Sequence, residues 1–212
     1  MSYLSNLFDR NIDLIYFGDM NDRDMNIIEA AFRLFAHYGV GKTSMTEIAS
    51  ASGVARQTVY NAFDSKEDLI FAALLHYAGK SRDDVERDCA AVVDPAERLD
   101  VMFRHLAAIP FEGMQTLPHL DEILEVGANL SDDRKARIID TYKVAIRIVL
   151  APYEDRLAER GIDPAKLSTF LKGMLTYLKR EARDHEHLRE LYGPARAMLI
   201  TCMGDRTALP TD

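Results

Sequence analysis

Arg56, Gln57, Tyr60 and Asn61 can all donate hydrogen bonds, and their spacing gathers them on one side of a short helix. Ala55, Val59, Ala62 and Phe63 recur at helical spacing on the other side and are expected to face a core. A rod with an apolar back and a fork of guanidinium, amide and phenol groups in front suits the DNA major groove, which is about 12 Å wide. An ordinary surface hairpin has the same spacing, so the flanking residues have to decide between the two.

Other constellations compete for chemistry and fail on spacing. The run Gly-Val-Gly-Lys-Thr at 39–43 suggests a phosphate loop, but that loop needs a glycine five positions before Gly41, where Ala36 stands. Asp184-His-Glu-His187 holds four possible metal ligands, yet His185 and His187 do not share a helix face, and Arg189 takes the place of a second histidine in HExxH. That run lies in the charged segment Lys179–Glu190 and is read as solvated surface. His119 and Glu122 form one i, i+3 pair without the second set that a di-iron bundle requires. Cys89 and Cys202 have no CxxC partner and are expected to be reduced thiols. Neither catalysis, cofactor nor metal is expected.

The elements that must position the fork are legible. Ser44 can cap a helix, with Glu47 completing a capping box and Met45, Ile48 and Ala49 forming its buried stripe. Gly53 suits the left-handed end of that helix, and the next helix starts near Ala55. An upstream helix over residues 22–37 buries Ile27, Ala31, Leu34, Phe35 and Tyr38. Downstream, Ser65 caps a further helix with Asp68 as its third residue. Two short helices joined by a tight turn make a helix-turn-helix, with residues 55–63 as recognition helix.

Ile-Ile-Glu-Ala-Ala-Phe-Arg-Leu-Phe-Ala-His-Tyr-Gly at 27–39, Thr46-Glu-Ile-Ala, Gly53-Val, Thr58-Val-Tyr-Asn-Ala-Phe and Asp-Ser-Lys-Glu-Asp-Leu-Ile at 64–70 closely resemble the N-terminal domain of the tetracycline-repressor (TetR) family of transcriptional regulators. The resemblance covers residues 22–72, about a third of the chain. It implies a dimeric, ligand-responsive protein that binds double-stranded operator DNA and has Lys66 at the DNA backbone. It also implies a homodimer through the two C-terminal helices, and a lever helix after Ser65 that carries a ligand signal to the DNA.

The remaining chain reads as further helices. Asp94-Pro-Ala-Glu is a strong start signal, and Pro110 is expected to end that helix in a bend over 110–118. Helices are expected over 117–127 and 131–160, the latter the longest and broken near residue 148 by Pro152. Two more begin at Asp163-Pro164 and near His187, the last kinked at Gly193-Pro194. The fold class is therefore all-α, an N-terminal three-helix helix-turn-helix domain plus a C-terminal helical ligand-binding and dimerisation domain. The expected division is an apolar extension at 1–20, the DNA-binding domain at 21–68, the effector and dimerisation domain at 69–204, and a flexible tail at 205–212.

With 48% hydrophobic residues and seven prolines the chain can build a large helical core. The net charge of −8 lies away from the fork: residues 33–66 carry Arg33, Lys42, Arg56 and Lys66 against Glu47 and Asp64. A locally basic head on an acidic body is workable because phosphate attraction is screened within about 10 Å. No apolar run approaches a membrane span and no signal peptide is evident, so a cytoplasmic location is expected.

The expected DNA-binding residues are Lys42, Thr43, Ser44, Arg56, Gln57, Thr58, Tyr60, Asn61 and Lys66. Arg56, Gln57 and Asn61 should reach base edges, while Lys42, Thr43, Tyr60 and Lys66 position the backbone. The expected pocket for a small, mostly apolar effector draws on Met102, Phe103, Leu106, Phe111, Met114, Leu117, His119, Tyr142, Ile146, Met174 and Tyr177. The expected function is a regulator, a repressor released from a palindromic operator by its effector. The alternative is a helical small-molecule-binding protein or enzyme with a vestigial DNA-binding head.

Overall fold

Asn21, Ser44 and Ser65 each accept a hydrogen bond from the backbone N–H three residues on, which satisfies a donor that a helix start leaves unpaired. These caps open α1 (Asp22–Tyr38), α2 (Met45–Ser52) and α4 (Lys66–Cys89) in a computed structural model that describes residues 21–204. The expected extension at 1–20 and tail at 205–212 lie outside the described residues. At α2 the capping box is complete, with Glu47 N–H on Ser44 Oγ at 3.2 Å and Ser44 N–H on Glu47 Oε2 at 2.7 Å. Gly53 closes α2 at φ 71°, the left-handed turn that lets α3 (Arg56–Ala62) leave at an angle.

Ile27, Ala31 and Phe35 of α1, Ile48 of α2, Val59 of α3 and Leu69 of α4 are sealed from solvent in one cluster. Burying a side chain of this size stabilises by about 1.5–3 kcal/mol, so a head of three short helices holds together through a handful of such contacts. Two expectations fail. Tyr38 is 62% exposed, because α1 ends there and Gly39 turns the chain away. In α3 only Val59 is fully buried; Ala55 and Ala62 are exposed and Phe63 is partly buried. A seven-residue helix laid across α1 and α2 has room for little more than one inward position.

The body continues with α5 (Pro95–Phe103), α6 (Ile109–Thr116), α7 (Leu120–Asn129), α8 (Asp132–Leu150), α9 (Glu154–Glu159), α10 (Pro164–Glu181) and α11 (His185–Met203). Among the described residues there is no strand, so the fold is all-α. The longest helix is α4 rather than the 131–160 segment, where a 3-10 turn at Ala151–Tyr153 separates α8 from α9 around Pro152. α11 starts at His185, two residues before the expected point, because Asp184 caps it, and it runs through Pro194 without a break.

Pro110 does not end its helix. An α-helical turn would require its nitrogen to donate to the Leu106 carbonyl, which proline cannot do. The ladder instead widens into a π turn over Arg104–Ala108, with the Ile109 N–H reaching Arg104 O, and α6 carries on. The expected loop at 110–118 is therefore mostly helix, and α7 begins at Leu120.

One core residue had no signal in the sequence. Arg98 is 6% exposed, and its guanidinium donates to the carbonyls of Cys89 at 2.8 Å, Val92 at 2.7 Å, Ile148 at 2.5 Å and Val149 at 3.0 Å. Three of these carbonyls lie in the last turns of α4 and α8, where a helix runs out of N–H partners and its partial charge is negative.

Candidate nucleic-acid interface and effector cavity

α3 carries its polar face outward. Arg56, Gln57 and Asn61 are exposed and Tyr60 is 38% exposed, so none is folded into the body. They are paired with one another at i, i+4. The Arg56 guanidinium lies 5.3 Å from the Tyr60 ring centre and 3.4 Å from its hydroxyl, and Gln57 Nε2 donates to Asn61 Oδ1 at 2.9 Å. Such surface contacts exchange readily for a new partner, since each is worth only about 0.2–0.5 kcal/mol.

The residues expected to touch phosphate divide. Lys42 is exposed, and Thr58 is partly buried on α3. Thr43 is 3% exposed and its hydroxyl donates to Gly39 O at 2.9 Å, so it shapes the loop rather than a phosphate contact. The Ser44 hydroxyl is engaged on both sides by Glu47. Lys66 turns inward: Nζ donates to Val40 O at 2.7 Å and Thr43 O at 3.0 Å, tying the start of α4 to the α1–α2 loop. In this arrangement it is partly buried between two loop carbonyls, a loop-holding contact that the expectation of a phosphate-facing lysine did not include.

The same loop is held from the body. The Val40 N–H donates to Glu122 Oε2 at 2.8 Å, His119 Nδ1 sits 2.9 Å from Glu122 Oε1, and the His119 N–H donates to Ala36 O at 3.1 Å. The Val40 N–H, foremost, holds the Glu122 carboxyl below its ordinary value. Gly39 is required here twice over: its φ is 91°, and a Cβ would stand 2.8 Å from Glu122 Oε1. Ile123 of α7, fully buried, joins the core of the head.

Behind α7 lies a cavity of about 320 Å³ between α4, α7, α8 and α10. Of the expected pocket residues, Leu106, Tyr142 and Ile146 line it. The others lie elsewhere. Met102 and Phe111 are sealed in the body core, Phe103 stacks on Tyr192 at 4.6 Å, and Met174 packs at the edge of that core. Leu117 packs on the head, His119 pairs with Glu122, and Met114 and Tyr177 are 40% and 55% exposed. Helical periodicity marks a buried stripe but not which part of it leaves a gap.

The cavity also holds what the apolar reading missed: Lys135, Lys172, Thr176 and Lys179. Lys179 is not solvated surface. Its Nζ donates to Leu106 O at 3.0 Å, the carbonyl that Pro110 cannot serve, and burial pulls its ammonium down to about 8. Burial also lowers Lys172, and the same effect raises the Tyr142 phenol. The spacing of 172, 176 and 179 at i, i+4, i+7 was a visible signal that this polar stripe shares one face of α10.

Side chains of the 184–187 run, read as solvated surface, are engaged within the protein. Asp184 accepts from the His187 N–H at 2.8 Å, His187 Nδ1 accepts from Arg183, and the His185 ring packs edge-on against Phe111. Among the described residues no three His, Cys, Asp or Glu side chains are grouped to hold a metal ion, and no helix is long and apolar enough to cross a membrane.

Residues 27–73 match the model of the bacterial regulatory proteins of the tetR family. The HTH-type transcriptional regulator BetI of Rhizobium meliloti is 33% identical over 78 residues, 37% of this chain and 38% of its own length. The chain thus spans under two fifths of BetI in that match. The HTH-type transcriptional regulator AcrR of Shigella flexneri is 26% identical over 181 residues, 76% of this chain and 84% of its own. Among solved structures, FadR of Bacillus subtilis in complex with stearoyl-CoA superposes with a TM-score of 0.58 at 18% identity, covering 85% of this chain and 99% of that one. At that identity the likeness speaks for the fold.

Proposed function

This chain is a member of the tetR family of bacterial regulatory proteins by its reading head, and from that premise we propose that it is a ligand-responsive, dimeric repressor of transcription. The observation that carries the reading is the outward polar face of α3, with Arg56, Gln57 and Asn61 in water and Val59 anchoring the helix from behind. Each subunit places α3 in one major groove of a palindromic operator, the two grooves about 34–36 Å apart or a multiple of that distance. Arg56, Gln57 and Asn61 read bases, Tyr60 and Lys42 meet the backbone, and Lys66 and Thr43 hold the loop that presents Lys42.

Dimerisation runs through α10 and α11. Phe170, Tyr177 and Met198 are 65%, 55% and 64% exposed on these helices, an apolar surface that a second copy would cover. The effector enters the cavity beside α4 and α7. Because α7 grips the α1–α2 loop through Glu122 and His119, a ligand that displaces α7 re-aims α3 and changes the groove spacing between subunits. FadR of Bacillus subtilis, bound to stearoyl-CoA, illustrates a protein of this fold holding a small molecule.

Selection of bound genomic fragments with the purified protein tests the reading. Recovery of one inverted-repeat sequence, bound by a dimer with half-sites one helical turn or a multiple apart, is the expected result. Fragments with no shared sequence, bound no better than competitor DNA, would overturn it.

A further inference from the structure

A buried cation normally has a carboxylate beside it, because removing an ammonium from water costs far more than a carbonyl contact returns. The cavity breaks that pattern. Its lining contains three lysines and no acidic side chain. Lys135 is matched by Asp132 outside the cavity, at 2.9 Å. Lys172 pairs with no carboxylate among the described residues, and Lys179 has only the Leu106 carbonyl. Tyr142, on the facing helix α8, hydrogen-bonds to no described residue. Apart from Thr176 the rest of the wall is apolar, with Leu74, Leu124, Ile138, Ile139 and Ile146 prominent.

We infer that the effector of this cavity is an organic anion with an apolar body, its carboxylate or phosphate head set between Lys172 and Lys179 with the Tyr142 hydroxyl donating to it. This rests on the ligand-responsive reading above and narrows it to a chemical class. Lys172 and Lys179 stand two turns apart on one face of α10, so a single head can lie between them, with the apolar part directed toward Leu74 of α4 and Leu124 of α7. The body of the ligand thus meets the two helices that reach the reading head, while its charge is held by a helix that does not. Burial disfavours the charged form of both lysines, Lys172 adds to it at Lys179 and Lys143 at Lys172, and an anion relieves both at once. At about 320 Å³ the cavity lies at the small end of ligand sites, which suits one head and a compact or medium-length body.

Four probes of equal chain length and different head separate the possibilities: the anions decanoate and decyl phosphate, the neutral decanol and the cation decylamine. Isothermal titration and thermal shift on the full chain should show decanoate or decyl phosphate binding at least tenfold tighter than decanol, and decylamine not at all. Lys172→Met and Lys179→Met should each lower anion affinity about tenfold or more while leaving decanol unchanged. The Lys172 side chain makes no hydrogen bond or ion pair among the described residues, so its variant keeps the test valid if Lys179→Met proves unstable. Equal binding of decanol and decanoate, preference for decylamine, or anion binding indifferent to both lysines would overturn the inference. The same titrations without DNA separate it from the regulator reading. Lysine-dependent anion binding that never releases a recovered operator leaves this inference standing and removes the proposed regulation.

Discussion

The outward face of α3 and the inner wall of α10 both present nitrogen donors, but in opposite energetic states. On α3, Arg56 and Gln57 rest in water against Tyr60 and Asn61, at little cost and for little gain. On α10, Lys172 and Lys179 are held where burial works against their charge, and no acid compensates them. The first surface can be exchanged freely among partners, so on the proposed function its discrimination has to come from the geometry of paired hydrogen bonds to bases. The second, on the inference drawn above, gains from any anion that fits, so its discrimination has to come from the shape of the apolar wall. A regulator needs both: a reader that lets go easily and a sensor that does not stay indifferent.

Lys66 sharpens this contrast most, because it sits in the head by position and resembles the cavity lysines in chemistry. Its ammonium serves two loop carbonyls, so Lys66→Met should destabilise the fold by about 2–4 kcal/mol, read as a lower midpoint in urea. Affinity for every DNA sequence should fall with it, since the loop carrying Lys42 loosens. An unchanged midpoint together with a salt slope smaller by about one would instead return Lys66 to the phosphate contacts. Arg56→Ala or Gln57→Ala is the reverse case. Each should cost about 1–3 kcal/mol on the selected operator and flatten base preference, with the stability of the protein within about 0.5 kcal/mol of the parent. Equal loss on operator and random DNA in gel-shift titrations would break the comparison.

The cavity predicts a gain where a contact is removed. Lys179→Met should stabilise the ligand-free protein at pH 7, on the order of 1–2 kcal/mol, because an ammonium without a carboxylate is replaced by an apolar chain. The sign of the pH dependence follows from a folded value of about 8 against an ordinary 10.5. The unfolded chain binds more protons between those values, so the parent gains stability as pH rises from about 8 to 10.5 and the advantage of the variant shrinks there. The charged groups around Lys179 are Lys172 on its own helix and Lys135 on α8, both cations, and neither reverses that sign. Parallel midpoints for parent and variant across that window would place the Lys179 charge in open water.

The two regions also differ in how far their sequence speaks for them. The head is built from local signals: Ser44 with Glu47, Gly53 as a left-handed turn, and a polar fork at i, i+4, all read within one or two helical turns. The outward setting of Arg56, Gln57 and Asn61 followed from those. The loop-holding contacts of Lys66 were not foreseen because its partners, at Val40 and Thr43, are carbonyls, and backbone acceptors leave no mark in residue type. The body depends on contacts far apart in the chain. Arg98 reaches Val149 across 51 residues, and Lys179 reaches Leu106 across 73. The second of these was half visible: Pro110 announces an orphan carbonyl at Leu106, but nothing local says which donor will find it. Where the helices leave a gap is a matter of how they cross, so only Leu106, Tyr142 and Ile146 of the expected pocket proved to line it.

The smallest expected effect tests the link between the regions. Glu122 grips the Val40 N–H from α7, and its carboxyl is held below the ordinary 4.5 by that N–H above all. A carboxyl depressed in the folded state contributes stability that is present above about pH 4.5 and is lost as pH falls through its folded value. Glu122→Gln keeps an acceptor for Val40 but removes the charge, so near neutrality the fold should be little altered. Between pH 5 and pH 3 (about the range set by that shift) the parent should lose more in its thermal midpoint than the variant. The same variant should weaken the effect of an anionic ligand on operator binding while leaving ligand affinity itself unchanged, because the cavity lysines are untouched. If operator release in Glu122→Gln matches the parent at every ligand concentration, the signal does not run through α7, and α4, which lines the same cavity through Leu74, is left as its carrier.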